Sequence, residues 1–256
     1  MSKIVLLIFC FIISSSFGQD TEFQTWIETG VKGKLVKRFD YSVDLTNRIG
    51  NLGLETFFPQ ATLKYKVADW FKPSIDYRII FKKEPNSNYN SSNRLNLNLN
   101  FNKLFNRFNI GLRLRYQYSF SQIAGANYQP EFDKAYRIKP SVSYDINNSI
   151  LTPSASIEFF YNPVRSSLGQ RFTKMRVFIG TELELKGPHG IELGYIYDQS
   201  MNLPDPSTRH ILNLSYVFKI ETPKKKKKKV DSAFVNSTKC LNSKKQMQLF
   251  SKCQNR

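Results

Sequence analysis

Two histidines, His189 and His210, are the candidates for catalytic side chains in this 256-residue chain. A lipid hydrolase embedded in a membrane needs an imidazole that activates a hydroxyl, which on a strand means a serine two residues away on the same face. Leu212 stands at that position after His210, and Thr208 two residues before it is a poor substitute. Ser215 falls on the opposite face by strand parity. We therefore predict no catalytic residues and no enzymatic activity. Lipid hydrolysis within the membrane is the less favoured alternative.

Metal and cofactor motifs are absent from the sequence. The three cysteines, Cys10, Cys240 and Cys253, lie near the two ends, so the residues between them hold no thiol ligand and no disulfide. No Gly-rich phosphate loop and no cluster with metal-ligand spacing is found. The sequence predicts neither a metal site nor a cofactor.

Charged residues that alternate with apolar ones are the remaining functional candidates. In a barrel they would share the inner face, and two interpretations stay open for them. Their field draws small anionic solutes into the lumen, or opposite charges pair and close a narrow barrel. The predicted lumen-lining residues are Lys64, Lys66, Arg78, Arg113, Arg115, Arg137, Lys139, Glu158, Lys174, Arg176 and Glu182.

A period of two in hydrophobicity identifies the elements that must position these side chains. The segment 108–118 is the longest example, with apolar or aromatic residues at even positions and Arg113, Arg115 and Gln117 between them. Eleven such runs follow one another from residue 27 to residue 218. Alternation of this kind is typical of strands with one apolar and one polar face.

Connections between the runs alternate in length. Short turns are expected near 35–36, 68–69, 103–104, 147–148 and 187–188, and long polar segments over 47–60, 82–93, 119–134, 162–170 and 199–209. This rotation is typical of an outer-membrane barrel, whose periplasmic turns are short. Aromatic residues at many strand ends favour the same reading, and a soluble β-sandwich is the alternative. We predict an all-β, antiparallel, transmembrane up-and-down β-barrel of about 12 strands, with 10 as the alternative, because such barrels usually have an even strand count.

The two ends of the chain differ from the body. Residues 1–18 combine Lys3, ten apolar residues over 4–13 and a small-residue exit, which predicts a signal peptide cleaved before Gln19. Residues 19–220 are the predicted barrel, and residues 221–256 a Lys-rich disordered tail. Since much of the net charge of +18 lies in that tail, we expect no nucleic-acid partner. The predicted location is the outer membrane.

Three segments of the sequence resemble a known group of outer-membrane barrels. They are residues 19–26, with Trp26 at the end, the hairpin over 34–39, and the aromatic closing strand over 212–218. The chain is similar over residues 19–220 to the family catalogued as domain of unknown function 2490 (DUF2490). The resemblance implies a barrel in a Gram-negative envelope and brings no assigned reaction and no catalytic residue.

Two functions are compatible with these features. One is a narrow, porin-like solute pore with a charged lumen, and the other is a structural or docking barrel whose long outer loops bind a partner. The expected partners are outer-membrane lipid, the barrel-assembly machinery and, for the pore, small anionic solutes.

Overall fold

A computed structural model describes residues 20–84, 88–121, 134–164, 169–185 and 187–220. The predicted signal peptide and the Lys-rich tail lie outside these residues. Within them every regular element is a strand, and no helix long and apolar enough to cross a membrane is found.

Eleven strands follow one another along the described chain. The strands are β1 (Asp20–Val36), β2 (Phe39–Gly50), β3 (Gly53–Tyr65), β4 (Ser74–Lys83), β5 (Tyr89–Phe105), β6 (Phe108–Ser121), β7 (Lys134–Tyr144), β8 (Leu151–Asn162), β9 (Arg171–Glu184), β10 (His189–Ser200) and β11 (Ser207–Ile220). Each lies beside its sequence neighbours, and β1 also pairs with β11 to close the barrel. The predicted all-β barrel is confirmed, and the strand count falls between the two predicted values.

The closing seam is the one parallel pairing among the described strands. Its register runs from Asp20 beside Ser207 to Gly33 beside Ile220. An odd number of up-and-down strands brings the first and last strands together in the same direction, and a parallel ladder still satisfies their backbone groups. The barrel therefore has an odd number of strands, contrary to the expected even number. This is tolerated because closure leaves no unpaired sheet edge, whether the strand number is odd or even.

The predicted rotation of short and long connections is only partly correct. Of the segment 82–93, expected to be long, only residues 84–88 lie between β4 and β5, whereas eight residues, 66–73, separate β3 and β4, where a short turn was expected. The largest difference is in the connection between β2 and β3. The segment 47–60 was expected to be a loop, but β2 continues to Gly50, β3 begins at Gly53, and only Asn51 and Leu52 lie between them. Gly53 has a φ of 76°, a conformation that glycine adopts without steric penalty. Residues 47–60 therefore belong mainly to the barrel wall.

The remaining connections define two rims. The long-loop rim holds the connections between β4 and β5, β6 and β7, β8 and β9, and β10 and β11. The short-turn rim includes the two-residue turns after Val36 and after Phe105. In the second of these turns Asn106 has a φ of 52°, which asparagine tolerates better than most residues.

The two faces of the wall differ in polarity. Large apolar side chains point outward and are exposed, including Val43 at 54%, Ile179 at 62% and Leu212 at 60%. Polar and charged side chains point inward and are buried, including Asn96, Asp198 and Glu158. The barrel is therefore inverted relative to a water-soluble one, which buries its apolar face.

Candidate functional site

Two of the cavities lined by described residues lie inside the barrel and share part of their lining. The upper cavity opens toward the long-loop rim and has a volume of about 380 Å³. The lower cavity has a volume of about 420 Å³. Five side chains line both, and we call them the belt: Arg48, Phe58, Arg78, Arg137 and Arg176. The belt therefore lies at the level where the two cavities meet.

Aromatic rings hold the belt arginines. The guanidinium carbon of Arg48 lies 4.0 Å from the ring centre of Trp26 and 5.0 Å from that of Phe58. Arg78 lies 4.6 Å from the same Phe58 ring. A cation placed over an aromatic face is stabilised by the ring quadrupole, more so where water is excluded. Stacking of this kind fixes the planar guanidinium groups and leaves their edges to donate hydrogen bonds.

The other half of the belt uses a second ring. Arg137 and Arg176 lie 4.2 and 5.3 Å from the centre of Phe160. Arg176 also lies 4.9 Å from Trp26, so its side chain extends from β9 toward β1. Rings and guanidinium groups together reach across the lumen at this level.

Glu158 is the main counter-charge of the belt. It is 3% exposed, and Arg137 donates to its two oxygens at 3.0 and 2.8 Å. Arg113 donates to the same carboxylate at 2.8 Å, and Arg176 lies 4.0 Å away. One carboxylate therefore bonds two guanidinium groups and lies close to a third.

Two further acids hold the neighbouring cations. Asp76 accepts a hydrogen bond from Arg115 at 2.8 Å and one from Asn98 at 3.0 Å. Asp198 accepts from Arg176 Nε at 2.8 Å, and the ammonium group of Lys174 is 3.6 Å away. Buried charges arranged in this way are compensated locally.

An apolar cluster supports the wall beside the belt. Trp26, Ile196 and Ile211 are buried together, and Phe178 packs against them. Phe178 covers Gly194 so closely that an added Cβ would overlap its ring. An aromatic side chain laid over a strand glycine compensates for the missing side chain and fixes the register locally.

Charge is distributed unevenly along the barrel axis. The described lining of the upper cavity has nine basic and two acidic side chains, Glu22 and Glu55. Below the belt, the lower cavity adds three basic residues and four acidic ones. Its acids Glu28, Asp44 and Glu192 come from β1, β2 and β10, and its bases from β6 and β7. The upper half is thus strongly cationic, and the lower half is divided between an acidic and a basic wall.

Most of the predicted lumen residues come together in this interior. The residues that line the two cavities are Arg78, Arg113, Arg115, Arg137, Lys139, Glu158, Lys174 and Arg176. Lys64 shares the inward parity of β3 opposite Asp40, and Glu182 lies 3.8 Å from Lys219 near the short-turn rim.

Lys66 differs from its sequence prediction. Strand β3 ends at Tyr65, and Lys66 forms an ion pair with Asp69 in the turn that follows. The hydrogen bond and charge of Lys66 lower the pKa of the Asp69 carboxyl. Lys66 therefore belongs to the short-turn rim rather than to the lumen wall.

The sequence analysis did not predict several residues of the barrel interior. Arg48 stood in a segment taken for a loop, and Asp198 follows by strand parity from Glu192. Trp26, Phe58 and Phe160 are aromatic residues on the polar face, where alternation does not place them. Counting alternate residues along the strands would have assigned Arg48 and Asp198 to the inner face. No local sequence pattern predicts that the three aromatic rings also lie there.

The histidines lie on the outer face of β10 and β11. His189 Nδ1 is 2.8 Å from the hydroxyl of Tyr216, and His210 is hydrogen-bonded to the hydroxyl of Tyr195. Ser215 is on the inner face, where its hydroxyl is 3.5 Å from Glu28. The hydrogen bonds described for both histidines thus go to tyrosine hydroxyls. No group of three potential metal ligands occurs within the described residues.

A comparison with models of known protein families identifies the family of this chain. The model of a family described as a protein of unknown function, DUF2490, matches residues 23–208, more than half of the chain. The chain belongs to the DUF2490 family. The match includes the 34–39 hairpin and ends at Thr208, near the start of β11, so the closing strand 212–218 lies beyond it. No curated protein matches the sequence. The resemblance to DUF2490 is confirmed, and the description assigns no activity.

Proposed function

We propose that this DUF2490 protein is an outer-membrane β-barrel that forms a narrow pore for small anions. The observation that carries the proposal is the inverted wall, because exposed large apolar side chains occur on every strand. One example from each strand is Leu35, Val43, Leu63, Ile75, Leu97, Leu112, Ile138, Ile157, Ile179, Leu193 and Leu212. A continuous apolar surface of this kind is stable in lipid and aggregates in water.

Strand length and aromatic placement support a membrane location. Each strand has at least 10 residues, and about 9 to 11 tilted residues cross a bilayer. Ring pairs lie toward both rims, such as Phe57 with Phe81 at 4.6 Å and Phe108 with Tyr144 at 4.7 Å. Two levels of aromatic residues match the two interfaces of a membrane. The predicted signal peptide would direct the chain out of the cytoplasm, and lipid and the barrel-assembly machinery are its expected partners.

Anion preference follows from the interior charges. The nine basic residues of the upper cavity attract anions, and the apolar wall strengthens their field. The belt keeps this sign where the two cavities share their lining, because four of its five members are arginines. The proposal needs no catalytic step, no cofactor and no nucleic acid.

Single-channel recording of the refolded protein tests the proposal. In planar bilayers under a salt gradient, we expect discrete currents with a reversal potential on the anion side. Because the cationic cavity lies at one end, the currents should also differ between the two voltage signs. Currents that favour cations would contradict the charge argument. Absence of any current would refute the pore and support the docking barrel, while a folded protein that stays soluble without detergent would refute the membrane location.

A further inference from the structure

Arg48 and Arg78 differ from the other buried arginines in the partners that they contact. Among the described residues neither has a carboxylate within ion-pair distance, whereas Arg113, Arg115, Arg137 and Arg176 each have one. Arg78 donates to the amide oxygen of Gln60, a neutral acceptor. The Nε atoms of Arg48 and Arg78 are buried and have no hydrogen-bond partner.

Nearby carboxylates are already bonded to other groups. Glu55 accepts from the amide of Gln24 at 2.9 Å, and Glu22 lies 3.3 Å from Arg209. Asp198 and Glu158 are bonded by Arg176 and Arg137. The two guanidinium groups are thus held by rings in a confined space, and no described carboxylate contacts them directly. Asp76 and Glu28 act on Arg78 only from beyond ion-pair distance, so an anion bound directly to the guanidinium groups would complete the arrangement.

We propose that Arg48 and Arg78 form a binding site for a compact oxyanion at the upper face of the belt. The inference rests on the proposed function, since it names the substrate class of the same lumen. Planar guanidinium groups match the paired oxygens of a carboxylate or phosphate group. The ring centre of Phe58 lies 5.0 Å from the guanidinium carbon of Arg48 and 4.6 Å from that of Arg78. The ring therefore covers one flat face of each guanidinium group and leaves N–H groups at the edge to donate to an anion.

The upper cavity suits such a ligand in size and charge. Its volume of about 380 Å³ accommodates a phosphate or a small organic acid. Ile80 and Ala135 also line it, so a short apolar part beside the anionic group would have a contact surface. Chloride lacks the paired oxygens and is expected to bind less tightly.

Trp26 provides a direct readout of the site. The chain has two tryptophans, and Trp70 is 57% exposed near the short-turn rim. In the full chain folded in detergent micelles, Trp70→Phe leaves Trp26 as the reporter beside Arg48. Inorganic phosphate, acetate and chloride are titrated at constant ionic strength. We expect a saturable change in Trp26 emission with phosphate and acetate, at lower concentration than with chloride, and their order shows whether phosphate or carboxylate is preferred.

Substitution separates the site from general charge effects. Arg48→Gln and Arg78→Gln should each weaken oxyanion binding at least tenfold. Arg107→Gln, which removes an arginine from the exposed turn between β5 and β6, is the matched control and should leave binding unchanged. If a glutamine variant does not fold, Arg48→Lys keeps the charge, loses the paired donors and should still weaken binding several-fold.

Failure of the site and failure of the pore are distinguishable. Saturable binding without current would leave the oxyanion site standing and refute conduction. Current without saturable binding, or binding that Arg48 and Arg78 substitutions leave unchanged, would refute the site and leave the pore. Equal responses to phosphate, acetate and chloride would also overturn the proposal, because they indicate screening rather than a built site.

Discussion

Replacement of Glu158 by glutamine tests the charge network most severely. The carboxylate accepts two bonds from Arg137 and one from Arg113, and it lies 4.0 Å from Arg176. Glutamine preserves the shape but leaves these guanidinium groups without their shared counter-charge. Removing one partner of a buried ion pair destabilises a protein by about 3 to 5 kcal/mol. Since Glu158 borders a polar cavity where water screens charge, we expect a loss at the lower end, about 3 kcal/mol.

Urea unfolding in lipid vesicles measures this loss. The midpoint of the Glu158→Gln protein, followed by tryptophan emission and by heat-modifiable gel mobility, should fall, while Glu184→Gln at the exposed end of β9 should match the parent. Combining Glu158→Gln with Arg137→Gln should restore part of the stability, because one uncompensated cation is removed. Equal midpoints for Glu158→Gln and Glu184→Gln would refute the network as a source of stability.

Three further predictions concern the wall and the ends of the barrel. Leu112→Arg, on the outward face of β6, should destabilise the assembled barrel by about 2 to 4 kcal/mol, as measured by unfolding in vesicles. Phe105→Arg, on the outward face of β5 at the short-turn rim, should lose about 0 to 1, and equal effects would argue against a lipid-facing wall. Gly194→Ala should destabilise by about 1 to 3 kcal/mol through overlap with Phe178, with Gly190→Ala on the same strand as a near-neutral control in the same assay. The mature protein should begin at Gln19 on N-terminal sequencing and fractionate with the outer membrane, and an intact Met1 would contradict the predicted cleavage. A chain ending at Ile220 should keep the heat-modifiable gel mobility of a folded barrel, and loss of that mobility would contradict the predicted end of the barrel.

Period-two alternation predicted the existence of the strands and the facing of most of their residues. It assigned Arg113 and Leu112 to opposite sides, as the structure has them, because strand parity depends only on local sequence. It failed at Arg48, since turn residues around 50–53 resembled a longer loop. Two residues suffice there because Gly53 adopts a positive φ.

Closure and the interior rings could not be predicted locally. The seam between β1 and β11 joins residues 187 positions apart, such as Asp20 and Ser207, and no short-range pattern encodes it. Phe58 and Phe160 face a polar lumen because guanidinium groups cover their rings, a tertiary arrangement that hydrophobicity alone assigns to the other side. The pairing of Glu158 with Arg113 across 45 residues is likewise a product of barrel curvature.

Because the seam is parallel, the start of β1 and the end of β11 lie at opposite rims of the barrel. Along β11, the distance from Ser207 to Ile220 is roughly 43 Å at about 3.3 Å per residue, and β1 begins at the level where β11 begins. A reporter joined ahead of Asp20 and one joined behind Ile220 would therefore stand in different compartments if the barrel spans a bilayer as proposed. An even-stranded barrel has both on the same side. Protease added to intact cells should remove the first reporter and spare the second, and a circular permutant would need a linker that traverses the lumen.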